Sequence, residues 1–492
     1  MALSRLNRLV RKLKQVELFD SAGMSQALRS SLYWGIWAVS AGMLCFNVTT
    51  GAAWTGFQRE VLGADDFQLG LIAAIPVAAN VLQILFSFFM ERKRNRRFLF
   101  LFFGIVGRSL WILIGLIPFF VPASLQMVRI LATIALVMMV SMGNSFVGIG
   151  FGSLMGDLVP LRIRGQYFSA RQRVALVAGI LAGLLVSYVI DTMGTVGYSI
   201  VLILAGIAGI ADICCFFFVK WPPMAGSETA EAPESPLKMI SGVFKNKRYM
   251  RFCLFFTCWH FSVALSTPFN NVYLIEVMKL SFVEITLFTQ IVSNLATVFS
   301  VTFWGRAIDR YGNKPVMRFV GAICMFLSGL WLFMQPGSVG MVIFFHFMTG
   351  LFWISIDLGQ QNLYLALSPQ KNRSVYIAVF SALANLCGIA LGNTLGGALV
   401  QGPFTAMAAT GFSLAGIVLN KYHYIFLFST ILRIIVMLTL LPRVQEEGSV
   451  PVKEMLQSAK ADYVLRFRQL YASVVRTRII RRYHKQNKQE SE

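Results

Sequence analysis

Long apolar runs without charged residues constrain this chain more than any other feature. About 20 apolar residues span a ~30 Å hydrocarbon core as a helix. Inside lipid the backbone must satisfy its own hydrogen bonds, so only helices or a closed barrel can cross. The runs are continuous rather than alternating, which favours helices. Only 13% of the 492 residues are charged, against roughly 25% in soluble proteins, so we predict an all-α, polytopic membrane protein.

Twelve transmembrane helices can be placed, and they fall into two groups of six. A Pro/Ser/Glu-rich loop, 220–251, is a predicted cytoplasmic linker between an N-terminal bundle, 31–219, and a C-terminal bundle, 252–442. The basic segment 1–30 is either a helix on the membrane surface or a solvated tail, and the basic tail 443–492 either lies on the membrane or docks a partner. The predicted spans are 31–57, 68–90, 98–121, 129–155, 173–191, 197–219, 252–275, 284–304, 318–335, 341–367, 375–401 and 422–442.

The short loops differ strongly in basic residues from one side of the membrane to the other. One side carries 21 Lys and Arg residues and the other carries 4. Cytoplasmic loops are the ones enriched in Lys and Arg, so we predict that both termini are cytoplasmic and that the chain lies in the cytoplasmic (inner) membrane. The net charge of +22 then reflects topology, and we expect no nucleic-acid partner.

The chain lacks the patterns of metal sites and enzymes. Its seven cysteines all fall in apolar runs without a histidine at ligand spacing, which is typical of small buried side chains. Paired zinc-binding histidines, a nucleophile elbow and a phosphate-binding glycine loop are absent from the sequence. We therefore expect no metal, no cofactor and no enzymatic activity.

The two halves share a pattern at a constant offset of 209 residues. Each copy lies at the junction between the fourth and fifth spans of its half. Two halves of the same topology predict parallel repeats related by an axis along the membrane normal, a design in which two bundles rock around a central site. The matching residues are Pro160, Arg164, Tyr167, Gly179 and Gly183 in the first copy, and Pro369, Arg373, Tyr376, Gly388 and Gly392 in the second.

The loop after the eighth span reads WGRAIDRYGNKPVMRF, 304–319. Gly305 allows close helix packing, Gly312 allows a tight turn, and Asp309 can pair with a cation or a helix N-terminus. With Arg310 and Lys314, these residues resemble the cytoplasmic loop motif of the major facilitator superfamily. The resemblance covers about residues 30–442 and implies an alternating-access transporter whose central cavity is built from the first, fourth, seventh and tenth spans.

A second loop is similar to the same family at the junction after the fourth span. It reads GDLVPLRIRGQYFSAR, 156–171, in which Asp157 and Arg164 would be the charged pair of a cytoplasmic gate. The C-terminal copy keeps Arg373 but has Ala366 in place of the aspartate. The first-half copy of the glycine motif, ERKRNRRF at 91–98, lacks both the aspartate and the turn glycine, and Glu91 is its candidate substitute.

Charged side chains inside the spans point to function, because each costs about 2.5–3.5 kcal/mol on insertion scales. Asp357 lies about nine residues from the cytoplasmic end of the tenth span, roughly 13 Å deep at 1.5 Å per residue. An isolated carboxyl at that depth can carry a proton, because burial disfavours its charged form. It either couples transport to protons, binds substrate or pairs with a cation. Arg108 and Arg433 are the candidate cations, and each could instead reach the headgroups by snorkelling.

Uncharged polar residues are also frequent within the spans. His260 is either a pH-sensitive partner or a satisfied interhelical donor. Amides beside aromatic rings suit a hydroxyl-rich solute such as a sugar, and TPFNNVYL, 267–274, loosely resembles the seventh span of sugar porters. The same amides could instead hold helices together. The amide candidates are Asn144, Asn270, Asn271, Gln290, Asn294 and Gln361.

These features lead to one main functional expectation and two alternatives. We expect a secondary active transporter that moves a small solute through the bilayer by alternating access, with protons as the coupling ion and a sugar-type symporter as one form. A multidrug efflux transporter is the first alternative. A sensor that kept the fold but not transport is the second, since fold does not fix function. A monomer is expected from the family resemblance alone.

Overall fold

A computed structural model describes residues 24–83, 86, 95–222, 236–370, 373–414, 416–446 and 448–458. Within these residues the protein is almost entirely helical, and ten helical segments are long and apolar enough to cross a membrane. The basic segment 1–23, Glu91 and most of the C-terminal tail lie outside the described residues. The count of twelve spans, the domain limits and the sidedness of the termini stay predictions.

The helical segments follow one another with short connections. Helix α2 is bounded at Ala79, and much of the rest of the predicted span 68–90 lies outside the described residues. A two-stranded hairpin, β1 (Ser413–Leu414) with β2 (Ile417–Val418), lies in the predicted loop 403–420. The helical segments are α1 Gln26–Val61, α2 Asp66–Ala79, α3 Arg96–Phe120, α4 Ala123–Leu158, α5 Leu161–Cys215, α6 Pro236–Lys245, α7 Lys247–Val277, α8 Phe282–Tyr311, α9 Asn313–Leu332, α10 Val339–Leu367, α11 Val375–Ala408 and α12 Lys421–Arg443.

Helix α5 is 55 residues long and folds back on itself at Gly194. Gly194 has φ 56° and ψ −135°, which breaks the helix without any loop residues. A Cβ on Gly197 would lie 2.8 Å from the Val189 carbonyl oxygen, so the chain reverses tightly here. Arg171 and Asp212, near the two ends of α5, are close enough to interact electrostatically. The segment therefore contains two antiparallel arms, at the positions of the predicted fifth and sixth spans.

The internal repeat is visible in the backbone that connects the first and second helices of each half. Helices α1 and α7 both end in a π-helical turn, Phe57–Val61 and Tyr273–Val277. Each is followed by a residue at positive φ, Gly63 in the first half and Lys279 in the second, 216 positions apart. Capping boxes then start α2 and α8, each with an N-cap side chain and an N3 partner, which satisfies otherwise unpaired backbone N–H groups. The two halves thus share a π-helical turn, a residue at positive φ and a capping box in the same order, and the 209-residue repeat did not reveal this similarity.

The repeated glycines pack equivalent helices closely in both halves. A Cβ on Gly179 would lie 2.8 Å from Met43 of α1. In the second half a Cβ on Gly388 would lie 3.0 Å from the Thr257 carbonyl oxygen, and one on Gly392 would lie 2.8 Å from Phe261, both of α7. The glycines predicted from the 209-residue repeat therefore let α5 approach α1 and α11 approach α7, as small residues do at helix interfaces in membranes.

Candidate solute cavity and contacts between the halves

A cavity of about 260 Å³ lies within the C-terminal half between α7, α9, α10 and α12. A second cavity of about 240 Å³ lies between α8 and α10 and contains Asp357. Thr349 and Trp353 line both cavities, so the two are adjacent. We call the first one the C-half cavity. It is lined by Val263, Ser266, Thr267, Asn270, Cys324, Ser328, Trp331, Phe345, His346, Thr349, Trp353 and Arg433.

Arg433 is held in the wall of the C-half cavity by three hydroxyl groups. Its side chain is 8% exposed, so it does not snorkel to the headgroups. The guanidinium donates hydrogen bonds to Ser328, to Ser266 at 2.9 Å and to Ser429 at 2.8 Å. All three acceptors are neutral, and Arg433 has no carboxylate partner among the described residues.

Asp357 is half-buried on α10, one turn beyond the shared residue Trp353. Neither Arg108 nor Arg433 pairs with it, so the predicted pairing with a cation is not seen between these described side chains. Cys324 lines the C-half cavity and is close enough to both Asp357 and Arg433 to interact with them electrostatically. The carboxylate is therefore available to a proton or a solute.

Arg108 has a different partner, which our sequence reasoning missed. Its Nη2 lies 3.9 Å from Oδ2 of Asp212, in the second arm of α5. Its Nη1 lies 3.7 Å from Sγ of Cys45. Asp212 could have been identified in the same way as Asp357, since it is also a carboxylate within an apolar run, 197–219. The N-terminal half therefore contains its own ion pair at membrane depth.

The uncharged candidates do not form one cluster. Asn270 lines the C-half cavity, and Asn271 beside it is half-buried. The His260 ring lies 2.9 Å from Oε1 of Gln360, which indicates an interhelical hydrogen bond between α7 and α10. The Gln290 amide lies against Gly51 and Gly183 of the N-terminal half. Asn144, Asn294 and Gln361 are exposed.

Five side chains join the two halves at one end of the molecule, and we call them the inter-half network. Arg59 hydrogen-bonds to Asp66 at 2.8 Å in its own half and forms an ion pair with Glu276 of the other half. Tyr422 donates to Glu276 at 2.8 Å, and Lys421 pairs with Asp66. Asp66 is 1% exposed, which strengthens its electrostatic contacts. The inter-half network consists of Arg59, Asp66, Glu276, Lys421 and Tyr422.

Further contacts between the halves lie at this same end. The hydroxyl groups of Ser187 and Thr286 are 2.7 Å apart. Asp191 of α5 accepts hydrogen bonds from the backbone N–H groups of Phe282 and Val283, at 2.9 and 3.0 Å, so it caps α8 across the interface. Gly70 of α2 packs directly on α11, because a Cβ there would meet Gly397. These contacts hold the two halves together at this end.

The loop with the family motif lies at the other end and is tied to the start of the C-terminal tail. Gly312 has φ 91°, which confirms the predicted tight turn. Glu446 accepts hydrogen bonds from the backbone N–H groups of Asn313 at 2.8 Å and Lys314 at 2.7 Å. Lys314 Nζ donates to the carbonyl oxygens of Pro442 and Val444. Thus Lys314 anchors the tail in this state.

Two expectations for the motif residues need correction. The close packing expected at Gly305 is wrong for this conformation, because a Cβ there would meet no described atom within 4 Å. The expected pair of Asp157 with Arg164 is also wrong. Asp157 pairs with Arg96, which also donates to Ser153 at 2.8 Å. Arg164 instead donates to the carbonyl oxygen of Gly156 at 2.9 Å.

The remaining motif residues are exposed. Asp309 and Arg373 are on the surface, and the Arg310 guanidinium lies 5.2 Å from the Tyr311 ring centre. No group of three or more His, Cys, Asp or Glu residues that could hold a metal ion occurs in the described part of the chain.

Known structures with the same architecture align with nearly the whole chain. A bacterial homologue of the human lysosomal transporter Spinster, in an inward-facing and unoccupied conformation, aligns with a TM-score of 0.64 at 14% identity, covering 87% of this chain and 100% of that one. The nucleoside transporter NupG aligns with a TM-score of 0.64 at 13% identity, covering 85% and 100%. The xylose transporter XylE from E. coli, inward open, aligns at 0.57 and 16% identity, covering 87% and 99%. At these identities the likeness shows the fold.

Comparison of the sequence with known proteins identifies its family. No curated protein matches the chain significantly. The model of the Major Facilitator Superfamily matches residues 36–393 and 291–482. Together with the membrane-spanning helices and the paired bundles, this match means that the chain is a multi-pass integral membrane protein of the Major Facilitator Superfamily.

Proposed function

We propose that this protein is a proton-coupled secondary active transporter that moves a small polar solute across the cytoplasmic membrane by alternating access. The observation that carries the proposal is the asymmetry of the contacts between the halves. Hydrogen bonds and ion pairs join them at the end that contains the inter-half network. Near the motif loops, a Cβ on Gly156 of the first half or on Gly305 of the second would meet no described atom within 4 Å.

With the predicted sidedness, this arrangement is an inward-facing state, closed on the outside. Transport would require the inter-half network to open while the motif end closes. Asp357 is our candidate for the coupling group, because it lies beside a polar cavity and has no cation partner among the described side chains. Binding and release of a proton by this carboxyl would accompany solute movement.

The efflux alternative is less well supported. A drug pump for lipophilic cations would need a cavity that attracts positive charge. The C-half cavity instead has a buried guanidinium in its wall, which disfavours cations. The sensor alternative makes a different prediction, since a sensor would bind a solute without carrying it.

A reversible cross-link across the closed end tests alternating access. The protein is reconstituted in liposomes, and uptake of radiolabelled saccharides, sugar acids, amino acids and lipophilic cations is recorded. Ser187→Cys and Thr286→Cys are combined, because side chains in contact across the interface suit a disulfide. Oxidation should stop uptake and a reductant should restore it, whereas each single variant should stay active. Uptake that persists in the cross-linked protein would contradict alternating access.

A further inference from the structure

We infer that the C-half cavity binds a solute that carries one carboxylate together with hydroxyl groups, and that Arg433 binds the carboxylate. The inference rests on the proposed function, because it names the class of solute that this transporter would carry. It arises from an unbalanced charge, from unpartnered nitrogen atoms and from the chemistry of the remaining lining residues.

The charge on Arg433 is not compensated in the described part of the chain. Three other arginines within the helices have acidic partners: Arg59 has Asp66 and Glu276, Arg96 has Asp157, and Arg108 has Asp212. Arg129, near a helix end, donates to backbone carbonyl oxygens instead. Arg433 is 8% exposed but has three serine hydroxyls around it instead. An arginine stays protonated in proteins, and a buried charge without a counter-charge is costly. A bound anion would supply the missing negative charge.

Two buried nitrogen atoms at this cavity have no hydrogen-bond partner among the described residues. They are Nε of Arg433 and Nε2 of His346, and both residues line the cavity. Buried polar atoms are nearly always hydrogen-bonded. A solute carboxylate oxygen that accepts a hydrogen bond from the Arg433 Nε–H would give this nitrogen a partner. It would also place a negative charge beside the guanidinium. Hydrogen bonds between a guanidinium and a carboxylate are among the strongest in proteins.

The serines hold the guanidinium in place without neutralising it. Ser429 donates its own proton to the Ser262 carbonyl oxygen at 2.6 Å, and Ser328 donates to the Cys324 carbonyl oxygen at 2.8 Å. Their lone pairs are therefore free to accept from Arg433. A fixed donor that keeps its full charge is suited to bind an anion, because little side-chain freedom is lost on binding.

The rest of the lining indicates the body of the solute. Trp331 and Trp353 provide aromatic surface, while Thr267, Asn270 and Thr349 provide hydroxyl and amide groups. At about 260 Å³ the cavity lies below the range usual for drug-sized ligands. One positive charge matches one negative charge. A small polyhydroxylated monocarboxylate, such as a sugar acid, fits these features better than a neutral sugar, which would leave the charge uncompensated.

Matched pairs of sugars and sugar acids test the inference. Purified full-length protein is titrated with D-glucuronate and D-glucose, which differ at one carbon, and with D-galacturonate and D-galactose, all at constant ionic strength. The Kd is measured by calorimetry and unfolding is followed in parallel. We expect each acid to bind and stabilise the protein, and each neutral sugar to bind at least about tenfold more weakly.

Variants of Arg433 identify the group responsible. Arg433→Gln should raise the Kd for the acid about 10- to 100-fold, while Arg433→Lys should keep part of the affinity because it keeps the charge. Arg129→Gln is the matched control, since Arg129 is a partly buried arginine that donates to the carbonyl oxygens of Val121, Val61 and Pro118 away from the cavity. It should bind the acids like the wild type.

The outcomes separate this inference from the proposed function. Equal binding of acid and neutral sugar, unchanged acid binding in Arg433→Gln, or no binding of either acid would each overturn the inference. The wild-type comparison decides the charge requirement even where Arg433→Gln does not fold. Acid binding without uptake into proteoliposomes would overturn the transport proposal and leave the binding site standing. Uptake of a neutral sugar without acid binding would support the transport proposal and overturn the inferred carboxylate site.

Discussion

Asp66 and Lys421 form an ion pair that joins the two halves of the chain across 355 positions of sequence. Asp66 is 1% exposed and also accepts a hydrogen bond from Arg59 at 2.8 Å. One buried carboxylate therefore receives a cation from each half. Because this pair lies where the halves meet, its loss should change the balance between conformations more than it changes the fold of either half.

Lys421→Gln should favour the state in which the inter-half network is open. We expect labelling of a cysteine at Ser187, which is buried at the interface, to rise about fivefold with a membrane-impermeant maleimide added outside, corresponding to about 1 kcal/mol. Lys279→Gln, at an exposed lysine near the same end, is the control and should leave labelling unchanged. Equal labelling in the two variants would mean that the network does not hold this end closed.

Asp357→Asn should separate coupling from movement. The variant keeps the size of the side chain but cannot gain or lose a proton, so accumulation driven by a pH gradient should disappear while solute exchange between the two sides continues. Both are measured in the same proteoliposomes, and exchange serves as the internal control for folding. Accumulation at the wild-type level would exclude Asp357 as the coupling group.

Asp157→Asn should destabilise the N-terminal half by about 1–2 kcal/mol, because it leaves Arg96 without its counter-charge. The Arg96 side chain is 4% exposed and that of Asp157 is 34% exposed, so solvent screening reduces the effect. Arg164→Gln removes an exposed hydrogen bond to the Gly156 carbonyl and a longer one, 3.4 Å, to the Val159 carbonyl, and should change stability by less than about 0.5 kcal/mol. Thermal unfolding in detergent measures both changes in stability. A larger loss in Arg164→Gln than in Asp157→Asn would contradict the Arg96–Asp157 pair and favour the Asp157–Arg164 pair expected from the sequence motif.

Two glycine substitutions in the same motif should have opposite effects. Gly312→Ala places a side chain at φ 91° and 2.9 Å from Ser449 Cβ, which should cost about 1–2 kcal/mol. Gly305→Ala lies inside α8 with open space around it, so it should stabilise the helix by about 0.5–1 kcal/mol. Thermal unfolding of both variants tests the prediction. A loss of transport in Gly305→Ala despite normal stability would show that close packing occurs in the other conformation.

Much of the architecture could be predicted from the sequence, because a helix that crosses the lipid core needs a continuous run of apolar residues. Apolar runs locate the helices, and the glycine of the motif loop indicated a tight turn that Gly312 confirms with φ 91°. Pairing within the membrane was harder to predict. Arg96 and Arg164 are both near Asp157 in the folded chain, and only the packing of α3 against α4 decides which of them contacts the carboxylate.

The candidate site was found only in part. Asp357, Arg433 and Asn270 were identified because charged and amide groups are rare in apolar runs. Ser266, Ser328 and Ser429 carried no such signal, since serine is common in membrane helices. Their role depends on Arg433, which reaches Ser266 and Ser328 on two other helices and Ser429 one turn away on its own helix. The inter-half network was missed because Asp66 and Glu276 lie at span ends, where charged side chains are ordinary.

Glu446 ties the beginning of the C-terminal tail to the turn between α8 and α9 through the backbone of Asn313 and Lys314. Val450 adds a backbone hydrogen bond to Tyr311 at 3.2 Å. The first part of the tail is therefore mechanically part of the C-terminal bundle. A fluorophore attached near residue 450 should turn with that bundle as a rigid lever, so energy transfer to a second dye on the N-terminal bundle would read out the rocking angle in single molecules.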